Sequence, residues 1–221
     1  QYRDYVLFYR LGDFYEMFFD DAIRVSRELE LTLTTRDRGK PPEEQTPMCG
    51  VPYHALNNYL AKLIRAGMTA ALCDQVEDPK TAKGLVRREI TRIVTPGTVT
   101  EDGLLDETVN NYIASVSGLA VSILDLSTGE FGVETLKSVE KLDEALERYR
   151  PAELIVSDEE DFSSRGEIFG NATRIQSWTF SAEAAYDNLT RHFKVLSLDG
   201  FGLDGKGDAV SAAGALIYYV G

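Results

Sequence analysis

Short apolar runs and longer helical stripes succeed one another along this 221-residue chain. Val6, Leu7, Phe8, Tyr9 and Leu11 read as a buried strand closed by Gly12. Ala22, Val25, Ser26 and Leu29 fall at helical spacing, so a helix starts near Asp20 or Asp21. Between the two, Phe14, Tyr15 and Glu16 sit at a strand-to-helix junction, beside a glycine that permits a tight turn. The short apolar stretch LTLTT ends at Thr35 and gives way to a polar loop, RDRGKPPEEQ. TPMCGVPYH, with two prolines and a glycine, is expected to run extended at a surface. Leu56, Tyr59, Leu60, Leu63 and Ile64 follow the spacing of a helix with one buried face, and Gly67 stands where that helix should stop. MTAALCDQV reads as a buried strand, and REITRIVTPG as another that Pro96 and Gly97 end. This alternation predicts an α/β or α+β domain of roughly a hundred residues.

The polar and acidic stretch TVTEDGLLDETVNN then reads as a connection between domains. Beyond it YIASVSG, LAVSILDL and GEFGVETL predict three strands in close succession, the last two joined by the turn residues Ser127, Thr128 and Gly129. Leu142, Ala145, Leu146 and Tyr149 form a helical stripe, ELIVS a short strand, and SAEAAYDNLTRHF and GDAVSAAGALIYYV two further helices. The prediction is a second mixed sheet with helices on its faces.

Charge separates the same two halves. Residues 1–98 carry 14 basic and 14 acidic side chains, so the whole net charge of −13 falls on residues 99–221, with 9 basic and 22 acidic. That asymmetry points to two domains with different partners. The first half also holds a basic run, Lys80, Lys83, Arg87, Arg88 and Arg92, able to meet phosphate or simply to form a solvated face. No apolar run approaches the roughly 20 residues of a membrane helix. Cys49 and Cys73 are the two cysteines of a chain that opens on Gln1 without a secretory signal, so reduced thiols and a cytoplasmic location are expected, in a piece of a longer protein.

Few kinds of chemistry are spelled out. Neither Gly39-Lys40 nor Gly205-Lys206 is followed by the hydroxyl residue of a phosphate-binding loop. No serine stands in GxSxG, and Cys49, His54, Cys73 and His192 lack metal-ligand spacing. Asp125, on a strand, resembles the strand-borne carboxylate of metal nucleases with a ribonuclease-H-like sheet, with Glu130, Glu134 and Asp187 as further ligands if they converge. For Phe14 and Tyr15, composition favours core rings but leaves projecting ones open.

Resemblance narrows this choice. YRLGDFYEMFFDDA, PMCGVPYHALNNYLAKLIRAGMTAALCDQVEDP and RREITRIVTPGTV resemble the N-terminal part of the MutS family of DNA mismatch-recognition proteins, almost continuously from Asp4 to Leu105. LAVSILDLSTGEF and PAELIVS resemble, more loosely, the connector domain of that family. The implied fold class is α/β in two domains. A mixed-sheet, mismatch-binding domain spans 1–105, and a connector with a ribonuclease-H-like fold but no nuclease activity spans 106–221. The family's helix before the first strand and its core, lever, clamp and ATPase domains have no counterpart in this sequence. The chain is therefore expected to be no enzyme by itself, to carry no cofactor, and to be monomeric. ATP, magnesium and homodimer formation are expected of the full-length protein.

By the same resemblance, Phe14 matches the wedge that enters the minor groove and stacks on a mispaired base, and Glu16 matches the residue that hydrogen-bonds that base. Wedging a ring between base steps costs a few kcal/mol of unstacking, less where pairing is already lost, and ring-on-base stacking returns roughly 1–3 kcal/mol whatever the base. Tyr15, pointing the other way on an extended segment, is expected in the core. Glu16 would penalise any duplex that offers it no hydrogen bond. Leu11, Arg36, Pro47, Met48 and Arg92 are implied secondary contacts to groove or backbone. The implied partners are double-stranded DNA with a mismatch or small insertion loop and, through the connector, MutL. Two rivals stand beside this reading: the metal nuclease of the second half, and a family member that binds DNA junctions without sensing mismatches, which would lack the Phe-x-Glu pair.

Overall fold

The structure, a computed structural model, describes residues 5–77, 86–99, 110–162, 165, 167–203 and 205–221. The chain divides into two compact units, Gln1–Leu105 and Asp106–Gly221. Most of the acidic connecting stretch, and Lys80 and Lys83 of the basic run, lie outside the described residues.

In the first unit β1 (Val6–Leu11), β2 (Phe14–Phe18), β3 (Thr34–Thr35), β4 (Pro47–Pro52), β5 (Ala70–Gln75) and β6 (Arg88–Val94) form one mixed sheet in the order β3-β4-β2-β1-β5-β6. Only the β1–β5 pair is parallel; the chain between those strands includes α1 (Phe19–Glu28) and α2 (Leu56–Arg65). Both helices pack on one face of the sheet. Val6, Phe8, Tyr15, Met17, Cys49, Val51, Ala70 and Leu72 point into a core closed by Ala22, Val25 and Leu29 of and after α1 and by Leu60, Leu63 and Ile64 of α2. Gly67 ends the α2 turn at φ +74°, a conformation that favours glycine.

Three expectations need correction here. Phe14–Phe18 is not a junction but a strand of its own, because the Gly12–Asp13 turn folds it back antiparallel on β1. TPMCGVPYH is extended, as expected, yet it does not run at the surface. Its strand pairs on both sides, with β2 and β3, and buries Cys49 and Val51. REITRIVTPG gives an edge strand with Ile90 and Ile93 exposed, not a buried one, since β6 has one neighbour and alternates around a bulge at Leu72/Cys73.

The second unit holds β7 (Tyr112–Ser117), β8 (Ala120–Asp125) and β9 (Glu130–Thr135) as an antiparallel meander, then α3 (Val139–Tyr149), β10 (Glu153–Ser157), α4 (Glu167–Gly170), β11 (Thr173–Ile175), α5 (Ala182–Phe193) and α6 (Gly207–Val220). The order β11-β10-β7-β8-β9, with β10 and β11 added parallel beside β7, is that of a ribonuclease-H-like sheet. Alternation along β7 sends Ala114 and Val116 to the α3 side, and Ile113 to the side with Ala215 and Leu216 of α6. Both faces are covered, and α6 is apolar almost all round because it lies between the sheet and α5. Helix α6 crosses α5 so closely that a Cβ on Gly214 would lie 2.4 Å from the Ala185 Cα. Ser138 and Ser181 cap α3 and α5 by accepting the backbone N–H of Lys141 and Ala184.

Candidate nucleic-acid interface

A two-residue turn sets the geometry. Gly12, at φ +58°, occupies the first turn position, where the twist of a tight hairpin requires a positive φ. Leu11 and Phe14 therefore face each other across the β1–β2 ladder, followed by Tyr9 and Glu16. Strand period then sorts the side chains of β2: Tyr15 and Met17 go to the helices, and Phe14, Glu16 and Phe18 to the opposite face. On β4 the same open face carries Pro52 against Phe14, Gly50 against Glu16 and Met48 against Phe18.

Phe14 is 48% exposed, and no other ring packs on it among the described residues. Among the same residues no hydrogen bond or ion pair engages the half-buried Glu16 carboxylate. Gly50 leaves room beside it: a Cβ there would lie 3.2 Å from the Tyr15 carbonyl oxygen and 3.5 Å from the Glu16 Cγ. An unpaired carboxylate and an unpartnered ring, two residues apart on one sheet face, form a surface ready for a flat ligand that carries a donor.

The loop backbone is fixed by its neighbours. The Arg10 guanidinium donates to the Gly12 carbonyl at 2.5 Å and lies 4.1 Å from the centre of the Tyr53 ring. Tyr53 N–H donates to the Asp13 carbonyl at 2.9 Å, and Arg88 to the Arg10 carbonyl at 3.3 Å. Arg88 also stands 5.1 Å over the Tyr9 ring, which brings one member of the basic run to this hairpin. Tyr15 is 6% exposed, edge-on to Phe8, with its hydroxyl on Asp74. Burial, and after it the Asp74 hydrogen bond, push that hydroxyl up to about 12.

The other candidate contacts are spread unevenly. Leu11 is Phe14's cross-strand neighbour, and Met48 shares the open face beside Phe18. Arg36 is exposed just past β3, its guanidinium 5.8 Å over the Phe18 ring. Pro47 alternates to the other side of β4. Arg92 faces Leu72 on β6, three strand positions from β2, or roughly 14 Å at ordinary spacing. Gly50, Arg10, Tyr53 and Asp74 escaped the sequence reading. A glycine inside an extended apolar stretch is a signal that could have found Gly50.

The four candidate carboxylates of the second unit do not gather into one site, although Asp125 and Glu130 stand opposite each other across β8 and β9. Asp125 is fully buried at the end of β8, where its Oδ1 accepts Ser127 N–H at 2.8 Å and the Ser127 hydroxyl at 2.6 Å, and its Oδ2 accepts Asn111 N–H at 3.3 Å. Burial raises its pKa, but those hydrogen bonds together outweigh burial and hold it below the ordinary value. Glu130 accepts the Tyr112 hydroxyl and Glu134 pairs with Arg148. Among the described residues no three His, Cys, Asp or Glu side chains are grouped to hold a metal ion. Asp125 is committed to its turn. No helix among the described residues is long and apolar enough to cross a membrane.

A mixed-sheet unit whose tight hairpin presents a bare ring on an open sheet face, followed by a ribonuclease-H-like unit, defines a two-domain α/β protein. Its two halves match two family models, described as MutS domain I over residues 1–103 and MutS domain II over residues 111–221. The chain belongs to the MutS family. Relatives called DNA mismatch repair protein MutS include those of Lachnoclostridium phytofermentans, 44% identical over 232 residues, Syntrophobacter fumaroxidans, 45% over 230, and Symbiobacterium thermophilum, 45% over 232. Each alignment covers 100% of this chain but 24%, 26% and 26% of the respective relative, so the chain spans about a quarter of their length.

Proposed function

We propose that this chain recognises mismatched and unpaired bases in double-stranded DNA for mismatch repair. Phe14 acts as the wedge that stacks on the displaced base, and Glu16 accepts a hydrogen bond from that base. The observation that carries the reading is the shared open face of β2: an exposed, unpartnered ring two residues from a carboxylate without a partner among the described residues. Energetically the pair reads deformability. Ordinary duplex resists a wedge by the full stacking and pairing energy and offers Glu16 only repulsion from phosphates, whereas a mismatch has surrendered part of both. Leu11 and Met48 extend the apolar surface around the wedge, and Arg36 and Arg88 supply charge for the flanking phosphates.

The acidic second unit serves as a connector that stays off DNA, couples the first unit to an ATPase domain in a dimeric protein of its relatives' length, and offers surface to MutL. ATP and magnesium belong to that ATPase domain. Among the described residues, the exposed Lys40 of the Gly39-Lys40 pair is bound to Asp37 and no three His, Cys, Asp or Glu side chains are grouped for a metal, which supports placing both outside this chain. A soluble, cytoplasmic site of action on the chromosome follows from this role. Its test is the ratio of dissociation constants for a T-containing mismatched duplex and its paired control, at one salt concentration, in a full-length protein carrying this chain. A ratio near one rejects the reading.

A further inference from the structure

A wedge works only if its base is stiffer than the stack it opens. The Phe14 ring touches no other ring among the described residues, so stiffness must reach it through the backbone on either side. On the N-terminal side, Asp13 is pinned by Tyr53 N–H. On the C-terminal side, Tyr15 passes beneath β1 and its hydroxyl meets Asp74 Oδ1 on β5 at 2.5 Å. Asp74 is itself held from β6, where the Thr91 hydroxyl donates to Oδ2 and reaches the Leu72 carbonyl at 3.4 Å. Tyr15 and Asp74 are 59 residues apart, and their bond spans the three strands β2, β1 and β5, with β6 behind. The Arg10 guanidinium, 5.3 Å from the Tyr15 ring, covers the outer end of the same clamp.

We propose that Asp74 is a positioning residue for Phe14: by accepting the Tyr15 hydroxyl it ties β2 to β5 across β1 and holds the hairpin so that the ring stands out of the sheet as a rigid wedge. This rests on the reading of Phe14 as the wedge. Packing alone would bury a phenylalanine at position 15 equally well. The hydroxyl adds a directional tie to a strand that is not a neighbour of β2, through a side chain adjacent to the wedge. Asparagine at 74 would keep the tie, its oxygen accepting from Tyr15 and its amide donating to Thr91. Alanine would not.

The experiment measures the mismatch-to-paired affinity ratio in the full-length protein. Asp74→Ala and Tyr15→Phe should each lower it about five-fold, the worth of one net hydrogen bond, mainly through weaker mismatch binding, and Asp74→Asn should restore it. With Phe14→Ala already in place, Asp74→Ala should have no further effect on the ratio. An unchanged ratio in Tyr15→Phe, which keeps the packed ring and so avoids misfolding, overturns the inference while leaving the wedge intact if Phe14→Ala still lowers the ratio. An Asp74→Ala effect of equal size with and without Phe14 also overturns it, since the residue would then act on the fold and not through the wedge. A ratio that Phe14→Ala itself leaves unchanged removes the wedge reading instead.

Discussion

Phe14 and Tyr15 are consecutive on β2, yet one ring is 48% exposed on the open face and the other, 6% exposed, is tied to Asp74 beneath the sheet. Substitution should separate them. Tyr15→Ala removes a packed ring and is expected to destabilise the first unit by about 3–5 kcal/mol. Phe14→Ala should leave stability within about 0.5 kcal/mol and weaken mismatch binding by about 1–3 kcal/mol. Urea denaturation and a DNA titration of each variant check both halves. A first unit unfolded by Phe14→Ala but not by Tyr15→Ala would reverse the assignment of faces.

That division of labour is only half legible in the amino-acid order. The alternation of Phe14, Tyr15, Glu16 and Met17 is a period-two pattern, but it lasts five residues and runs straight into the helical stripe of α1, so the strand merges with the helix start. Gly12 marks the turn; nothing local says that the chain folds back for a second strand instead of entering the helix. The five longer helices are legible because each repeats its period, and the β7–β8–β9 meander through its short apolar runs and the turn residues Ser127, Thr128 and Gly129; the single-turn α4 and the three-residue β11 are too short to show a period. Edge position is not: β6 has the apolar residues of a central strand, and only the sheet order reveals that Ile90 and Ile93 lack a cover. The Tyr15–Asp74 tie joins residues 59 apart and leaves no trace in spacing.

Gly50 gives a second test of the same face. A methyl at this position would crowd the Tyr15 carbonyl at 3.2 Å and stand in ordinary contact with the Glu16 Cγ at 3.5 Å, so β2 has to give by a few tenths of an ångström just before Glu16. Gly50→Ala is expected to cost about 1 kcal/mol of stability and to reduce mismatch preference in the manner of Glu16→Ala. Thermal melts beside the two-duplex titration report each effect. Wild-type values in both would show that the bare backbone of β4 does not define the Glu16 position.

Alkaline stability follows from two buried protons. Burial, and after it the Asp74 hydrogen bond, raise the Tyr15 hydroxyl from 10.0 to about 12; burial, with the charge of Asp21, raises the Cys49 thiol from 9.0 to about 11. In both cases the folded chain holds its proton above the pH at which the unfolded chain releases it. Their contribution is complete below pH 9 and drains away as pH climbs through 9 to 12. Denaturant midpoints measured from pH 8 to 11.5 should fall, and Tyr15→Phe should flatten the upper part of that fall. A flat wild-type profile across this range would contradict the burial of both groups.

The chain alone should bind DNA weakly. Its first 98 residues balance 14 basic against 14 acidic side chains, and all of the net −13 lies beyond them. With one projecting ring and Arg36 and Arg88 near the open face, the salt slope should be modest, roughly −2 in log–log form. Fluorescence anisotropy between 50 and 200 mM salt measures it. Nanomolar binding by the monomeric chain at physiological salt would show that this unit needs no help from the rest of such a protein.

Glu16 offers the sharpest separation, because its removal should act oppositely on two DNAs. The carboxylate has no hydrogen-bond or ion-pair partner among the described residues and stands on the face that bears Phe14. Against paired duplex it meets phosphates and no donor, a repulsion of roughly 1 kcal/mol at a water-exposed surface. Glu16→Gln and Glu16→Ala should therefore tighten binding to perfectly paired DNA about five-fold. If, as proposed, a displaced base supplies the donor at a mismatch, the same substitutions should leave binding there unchanged or weaken it, and the affinity ratio falls. Glutamine can still accept that hydrogen bond, which predicts a smaller loss at the mismatch than for alanine, with an equal gain on paired DNA. If Glu16 were merely a surface carboxylate, both duplexes would gain alike and the ratio would stay fixed, leaving Phe14 to discriminate unaided.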